Sequence, residues 1–290
     1  MLSEMAVADA DAIAFEFVKD PPFKNDLASY KQHPTYDDLK PSQYTDDTQR
    51  SIANALVVLS RGFHDPCAFV STLQRVFRED PRKGYSRRFQ QYMEENKFAH
   101  PLDWMRGIPQ RRESNGSIMG VAPLGYLRTP VDVRLGATFQ AITTHSVATA
   151  PYAQAIALAA HYLIYALGPK NNNLLEFLRQ EVEGWDKAFP DFRYDVRYPP
   201  EPVPIGAGPT AFAVLNLVDR HNTLSGIVKE AVDIGGDTDS VAALAVAIAS
   251  CSKEVENDLP EVLISGLEFG DVTTQSHLKE LDRMLKAMTQ

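Results

Sequence analysis

Two pairs of aspartates stand directly ahead of apolar helical patterns, and their spacing suits metal chemistry. Asp46 and Asp47 lie between two threonines in residues 45–48 (TDDT). Asp237 and Asp239 lie in residues 235–240 (GGDTDS), which lead into the apolar run 241–249. Carboxylate and hydroxyl oxygens are the ligands that hard cations such as Mg²⁺ and Mn²⁺ prefer. Both segments are therefore candidate metal-ligand groups.

The first segment also fits an ordinary helix start. Asp46 would cap the helix, with Gln49 three residues later, as in a capping box, and acids in a first turn complement the helix dipole. The second segment resists this interpretation, because unpaired carboxylates beside a core helix are costly. A cation removes that cost. If the two helix starts meet in space, they supply enough oxygen ligands for two metal ions about 3.5–4 Å apart.

Three other segments contain weaker signals. Residues 114–119 (SNGSIM) resemble a turn that presents backbone amides to a phosphate. His145 could contact a ligand, although a histidine between helices is more often a hydrogen-bonded core group. Near the N-terminus, Glu16 could add a further carboxylate, whereas Asp9 and Asp11 fit an exposed surface equally well.

Helical periodicity dominates the chain and predicts an all-α fold. Apolar residues recur at helical spacing in residues 52–59 and 69–77, and sustained period-2 alternation is missing. The apolar stretch 152–168 predicts a buried helix that ends at Gly168. Another helix is expected after Pro209. Residues 189–210 are too rich in proline and glycine for regular structure, and we interpret them as a long loop within a single domain that spans residues 1–290.

The bulk composition is that of an ordinary soluble globular protein. Hydrophobic residues make up 44% of the 290 residues and charged residues 23%, with a formal charge of −9. This charge argues against general nucleic-acid binding. The run 241–249 is shorter than the about 20 residues that span a bilayer, so we expect no membrane association. Cys67 and Cys251 form neither a zinc spacing nor a disulfide framework, and a reducing cytoplasm is expected.

Taken together and in order, the motifs resemble a known family. YTDDTQ, NGSIMGVAPLG, TTH and GGDTDSVAALA follow the order and approximate spacing of the ADP-ribosylglycohydrolase family, which includes dinitrogenase reductase-activating glycohydrolase. The segment RKGYSRRF resembles its bacterial branch. The resemblance covers roughly residues 5–252.

The resemblance implies a compact orthogonal multi-helix bundle that holds two divalent cations, Mg²⁺ or Mn²⁺, in a cleft. The metal ligands of the family fall on Thr45, Asp46, Asp47, Asp237, Asp239 and Ser240. The glutamate of its opening motif falls on Glu16. Its ligand-binding loop and histidine fall on Ser114, Asn115, Gly116, Ser117, Ile118, Met119 and His145.

The sequence departs from the family pattern at several positions. Ala8 and Ala12 replace glycines, and Gly120 stands where an arginine commonly follows methionine, which removes a cation from the loop. Ser240 replaces a threonine but keeps the hydroxyl. Ser146 follows the histidine where an acid or amide is frequent. None of these changes deletes a carboxylate ligand.

The implied activity is cleavage of the glycosidic bond of an ADP-ribosyl group on a modified protein or small molecule. Glu16 is one candidate for the base, and the catalytic role is shared with Asp46, Asp47 and Asp239. Two alternatives stay open: a catalytically silent protein that binds ADP-ribose or a nucleotide, and a phosphohydrolase that attacks the pyrophosphate. The acceptor, the choice of Mg²⁺ or Mn²⁺ and the oligomeric state are not determined by the sequence.

Overall fold

The chain folds into helices, as the periodicity predicts. A computed structural model describes residues 1–108, 111–190, 192 and 202–289. Within these ranges, pairing of extended segments is confined to two isolated parallel bridges, and the all-α prediction is confirmed. The α-helices are α1 Leu2–Ala12, α2 Asp46–Leu59, α3 Pro66–Glu79, α4 Arg87–Asn96, α5 Pro101–Gly107, α6 Pro130–Thr144, α7 Ala150–Ile164, α8 Asn171–Glu181, α9 Trp185–Ala188, α10 Ala207–Arg220, α11 Leu224–Ile234, α12 Thr238–Ala249, α13 Glu261–Gly266 and α14 Val272–Ala287. Short 3₁₀ turns are Ile13–Phe15, Asn115–Ser117, Ala122–Tyr126, Val147–Thr149 and Leu267–Gly270.

Helix α12 is the centre of the bundle. Every one of its residues is buried, and it packs against α1, α7, α10 and α11. Small side chains allow this crowding, since Ala8 and Ala12 of α1 are fully buried. The Thr238 hydroxyl donates to the carbonyl of Ala12 at 2.8 Å. This contact ties the start of α12 to the end of α1, next to the predicted acidic residues.

Helix α7 is another core element. Within the described part of the chain, the segment Val147–Ile164 is long and apolar enough to cross a membrane by length and composition, but 72% of it is buried inside the protein. Such burial is typical of a core helix. The prediction that this helix ends at Gly168 is wrong, because it ends at Ile164 and Ala166 adopts a left-handed conformation with φ 49°.

The proline-rich segment is only partly covered by the structure. Of residues 189–210, positions 191 and 193–201 lie outside the described residues. Helix α10 begins at Ala207 rather than after Pro209. The amide of Ala207 donates to the carbonyl of Glu113 at 3.0 Å, which brings this helix start beside the predicted ligand-binding loop.

Candidate metal centre and ligand pocket

The start of α2 is capped by a residue from another helix. Its N-cap is Thr45, so the prediction that Asp46 caps the helix is wrong. Gln49 bonds the carbonyl of Asp80 instead of closing a capping box. Asp9 of α1 accepts hydrogen bonds from the amides of Thr45 and Thr48 at 3.0 and 3.1 Å, and from their hydroxyls at 2.8 and 2.6 Å.

This arrangement explains why two acids are available at the helix start. Asp9 is fully buried and Asp11 is 3% exposed, so neither is the surface residue that the sequence allowed. Asp9 takes the amides of Thr45 and Thr48, and the carbonyl of Lys83 takes the amide of Asp46 at 3.0 Å. The carboxylates of Asp46 and Asp47 are therefore not needed as caps for these donors. Both line a pocket.

A tight glycine turn aims the start of α12 at the same pocket. Gly235 and Gly236 have φ values of 77° and 82°, a region that side chains disfavour. A Cβ on Gly236 would lie 2.1 Å from the carbonyl oxygen of Val203. The amide of Asp237 donates to that same oxygen at 2.9 Å. The turn therefore fixes where Asp237 and Asp239 enter the site.

Glu16 is held at the site through its backbone. The amide of the next residue, Phe17, donates to the carbonyl of Gly236 at 2.8 Å. The Nε2 atom of buried His33 lies 2.9 Å from the Glu16 carbonyl oxygen, while its Nδ1 accepts from the amides of Thr35 and Tyr36 at 3.1 and 3.0 Å. These two amides require an unprotonated Nδ1, so Nε2 carries the proton and donates to Glu16.

The carboxylates converge closely enough to share a cation. One ligand oxygen from each of Glu16, Asp237 and Asp239 can lie within 4.8 Å of the others. The Ser240 hydroxyl donates to Oδ2 of Asp47 at 3.2 Å, which joins the two helix starts. Within the described residues, the buried Oδ1 atoms of Asp47 and Asp239 have no hydrogen-bond partner. Unpartnered buried carboxylate oxygens in such a cluster fit a divalent cation.

Burial and mutual repulsion raise the pKa values of these acids. Burial, followed by the charges of Asp237 and Asp46, raises the pKa of Glu16 to about 8. Burial raises the pKa of Asp237 to about 6. The pKa values of Asp47 and Asp239 lie well above the ordinary value, first because of burial and then because of neighbouring carboxylates. Shifts of this kind concentrate at functional sites.

The acids form one part of a larger pocket with a volume of about 390 Å³. Of the predicted ligand-binding residues, the pocket is lined by Ser114, Asn115, Gly116, Met119 and His145. Thr45, Ser117 and Ile118 lie beneath the surface instead, each at most 1% exposed. A basic rim of Arg87, Arg88 and Arg112 also lines the pocket. The pocket therefore offers both acidic and basic groups to a single ligand.

His145 is an electrically neutral member of the pocket. Burial, together with the charges of Arg50 and Arg111, lowers its pKa to about 3. Its Nδ1 lies 2.6 Å from the Thr144 hydroxyl, and its Nε2 lies 3.0 Å from the Ser114 hydroxyl. A Cβ on Gly116 would come within 2.9 Å of the ring, so glycine lets the loop pack directly on the histidine.

Comparison with known proteins agrees with this architecture. The model of the ADP-ribosylglycohydrolase family matches residues 5–290. The chain belongs to the ADP-ribosylglycohydrolase family. An uncharacterised protein of Archaeoglobus fulgidus is 29% identical over 253 residues, which cover 80% of this chain and 78% of that protein. A solved structure described as an ADP-ribosylglycohydrolase-related protein complex has a TM-score of 0.74 at 23% identity, covers 99% of this chain and 96% of its own, and shares the fold.

Family membership supports a glycosidase-type hydrolase that depends on metal. Gly120, where the resemblance implies an arginine, has little room for a side chain. A Cβ at that position would lie 2.7 Å from Cβ of Arg50 and 3.0 Å from its carbonyl oxygen. Arg50 itself is buried and lines the pocket. A cation is therefore present near the loop, but it comes from α2.

Three residues at the candidate site were not predicted from the sequence. Asp9 was assigned no role, yet it caps α2. Arg50 and His33 were not considered. Asp9 lies seven residues before Glu16 in an acidic N-terminal segment, and Arg50 is the single charged residue of residues 48–60. Nothing in the sequence around His33 indicates its contact with Glu16.

Proposed function

We propose that this protein is a hydrolase that removes ADP-ribose from a modified protein or small molecule, with two Mg²⁺ or Mn²⁺ ions in the acidic part of the pocket. The observation that carries the proposal is the convergence of Glu16, Asp237 and Asp239 beside Asp46 and Asp47. Four buried aspartates and the half-buried Glu16 have an unfavourable combined charge that two divalent cations would neutralise. The resemblance in sequence and the family match support the same activity.

The ligands would come from both helix starts. Asp46 and Asp47 would act from α2, and Asp237, Asp239 and Ser240 from α12. Thr45, for which the resemblance implies a ligand role, lies beneath the pocket surface, and its hydroxyl donates to Asp9. When bound, such ions polarise hydroxyl groups and lower the pKa of a coordinated water.

Glu16 is the carboxylate best suited to accept a proton from the attacking water. It is the acid of the cluster that belongs to neither helix start, and a carboxylate beside the metal site can serve as a general base. The carboxylates around it would also stabilise positive charge that develops on the ribose ring. The hydrogen bond from His33 holds the backbone of Glu16 in place during this step.

The loop at residues 114–119 would hold the pyrophosphate. The amides of Ser117, Ile118 and Met119 donate to carbonyl oxygens inside the loop at 3.2, 2.7 and 3.0 Å. In the part of the chain that the structure describes, no acceptor takes the amides of Asn115 and Gly116. These two donors, together with side chains of the pocket, would contact the phosphate oxygens.

The test is the double variant Asp47→Asn, Asp239→Asn. We expect loss of tight metal binding in calorimetry and at least about a thousandfold loss of ADP-ribose release. The control is Asp37→Asn, Asp103→Asn, which changes the charge equally at two exposed positions and should leave both unchanged. Unchanged turnover in the first variant would refute the assignment.

A panel of substrates distinguishes this function from its alternatives. Defined arginine, serine, nucleobase and small-molecule ADP-ribosyl compounds are incubated with each metal, and the products are identified by mass spectrometry. Release of intact ADP-ribose supports the proposal. AMP and ribose phosphate would indicate a phosphohydrolase, and tight binding of ADP-ribose without turnover would indicate a silent binding protein.

A further inference from the structure

Two arginines stand at the edge of the pocket, beside its acidic part. Arg87 and Arg88 are the first two residues of α4, are exposed, and line the pocket. The preceding Gly84 lies close to the acids, since a Cβ there would be 2.0 Å from Oδ1 of Asp46. The chain from Gly84 to Arg87 spans at most about 11 Å. The two arginines therefore flank the end of the pocket that contains the carboxylates.

The two charges are unfavourable for the helix that contains them. The N-terminus of a helix is the positive end of its dipole, where acids are favourable and cations are not. Helix α4 has the reverse pattern, because its first turn has no acid and its last turn has Glu94 and Glu95 but no base. The residues three and four positions after the arginines, 90–92, are two glutamines and a tyrosine. They offer no ion pair along the helix, so helix stability does not explain the arginines.

Neither arginine has an ion-pair partner in the part of the chain that the structure describes. Residues 81–93 contain four bases and no acid. The neighbouring Arg82, in contrast, is paired with two carboxylates at 2.6 Å. In the same pocket, the buried Nε of Arg50 lacks a hydrogen-bond partner among the described residues. Unpaired donors that break local rules are typical of functional sites, and here they fit a ligand with anionic oxygens.

We propose that Arg87 and Arg88 bind acidic side chains that flank the modified residue of a protein substrate. The proposal rests on the proposed function and adds the class of substrate. In that function the glycosidic bond breaks at the acidic part of the pocket, so the acceptor chain would lie beside the same part. Carboxylates on that chain would meet the two guanidinium groups, which pair well with carboxylates.

A short acidic protein segment fits this surface better than a nucleic acid does. The formal charge of the protein is −9, which repels a polyanion, and nucleic-acid binding depends on many phosphate contacts. Two arginines can pair with a few carboxylates without help from the rest of the surface. A modified arginine without acids around it would instead meet two like charges. The acids around the modified residue should therefore determine which substrates are preferred.

The test compares two ADP-ribosylated peptides that differ only beside the modified residue, which is the one that the substrate panel identifies. One peptide has glutamates on both sides of it and the other has glutamines. With saturating Mg²⁺ at low ionic strength, kcat/KM of the wild-type protein should favour the acidic peptide about fivefold, the effect of two exposed ion pairs. Salt at about 1 M should remove most of this preference. An equal rate, or a preference for the neutral peptide, would overturn the proposal.

Substitution of both arginines tests their part in this preference. Arg87→Gln, Arg88→Gln should bring the ratio of the two kcat/KM values to about one, through a higher KM for the acidic peptide. Arg87→Lys, Arg88→Lys should keep most of the preference. The control Arg75→Gln, Arg179→Gln removes the same charge at two exposed positions that do not line the pocket, and should keep the wild-type ratio. A wild-type ratio in the first variant would overturn the proposal.

Urea unfolding separates a loss of binding from a loss of structure. Because the two charges oppose the helix dipole, Arg87→Gln, Arg88→Gln should unfold at the same or a higher urea concentration than the wild-type protein. Unfolding at a lower concentration would contradict the dipole argument.

Free ADP-ribose distinguishes the acceptor surface from the part of the pocket that holds the ADP-ribosyl group. In calorimetry with Mg²⁺, the glutamine variant should bind ADP-ribose within about twofold of the wild-type protein. A loss of about tenfold or more would assign the arginines to ADP-ribose itself and overturn the proposal.

The outcomes also separate the proposal from the proposed function. If the wild-type protein releases ADP-ribose equally from both peptides, or only from a modified nucleic acid, the hydrolase stands and the acidic protein substrate fails. If it releases none from any substrate but binds the acidic peptide more tightly than the neutral one, the role of the arginines stands and the hydrolase fails. If it neither releases ADP-ribose nor distinguishes the peptides, both are refuted.

Discussion

Removal of the divalent cations should make the protein less stable as the pH rises from 6 to 8. Glu16 determines the sign of this change of stability with pH. Its pKa is raised from 4.5 to about 8 in the folded state, so between these values the folded protein holds a proton that the unfolded chain has lost. The free energy of unfolding then falls with increasing pH. Stability is retained below the unfolded pKa and lost as the pH passes through the folded pKa.

The magnitude follows from the size of that window. Each pH unit in which one extra proton is bound in the folded state changes the free energy of unfolding by about 1.4 kcal/mol. Because Glu16 is half ionised at pH 8, the change between pH 6 and 8 is roughly 2 kcal/mol for this group. Asp47 and Asp239 act in the same direction, since their pKa values are also raised.

Urea unfolding followed by circular dichroism, in EDTA and in saturating Mg²⁺, measures this effect. In EDTA, Glu16→Gln should reduce the change in the free energy of unfolding between pH 6 and 8 by roughly 2 kcal/mol. In Mg²⁺ the stabilisation over the metal-free protein should grow with pH, because cations bind deprotonated ligands. A metal-free protein that becomes more stable from pH 6 to 8, or a slope that Glu16→Gln leaves unchanged, would refute the reasoning.

Two glycine substitutions test how closely the backbone packs on the site. Gly84→Ala should reduce metal affinity at least about tenfold, because Gly84 has φ 110° and a Cβ would lie 2.0 Å from Oδ1 of Asp46. The control Gly184→Ala, also left-handed but with nothing within 4 Å, should lose only about 1 kcal/mol of stability and no metal affinity. Equal metal affinity in the two variants would contradict this. Gly120→Ala should destabilise the protein by about 1–3 kcal/mol in urea unfolding, because its Cβ would press on the backbone of Arg50. Surface substitutions change stability by about 0.5 kcal/mol or less. A loss of stability below about 0.5 kcal/mol would therefore contradict this prediction.

The helical fold was predictable because periodicity and apolar content report directly on burial. The run at residues 241–249 had to be a core helix, and α12 is fully buried. Helix ends were less predictable, since tertiary contacts decide them. Gly168 seemed a natural terminator, but the helix ends at Ile164. A Cβ on Gly168 would lie 2.4 Å from the Tyr162 hydroxyl, so this glycine is needed for close packing instead.

The acidic residues of the candidate site were predictable from the sequence. Two acidic helix starts indicated a shared site, and the structure brings Asp47 and Ser240 into hydrogen-bond contact. What holds those acids in place could not be predicted, because it involves pairs far apart in the chain. Asp9 bonds Thr45 across 36 residues, and His33 holds the Glu16 backbone from a loop without regular structure. Neither contact leaves a local pattern.

Because Asp9 caps α2, the acidic residues near this helix start have separate roles. Asp9 accepts four hydrogen bonds at the start of α2, two from the amides and two from the hydroxyls of Thr45 and Thr48, and none of these four bonds involves Asp46 or Asp47. Neutralising either of these two acids therefore relieves repulsion without uncapping a helix. If Asp46 and Asp47 hold the metal as proposed, a single substitution at either position should abolish metal-dependent activity and leave the cap of α2 in place. The fold around this helix start therefore depends on Asp9, whereas the proposed metal site depends on its two neighbours in space, Asp46 and Asp47.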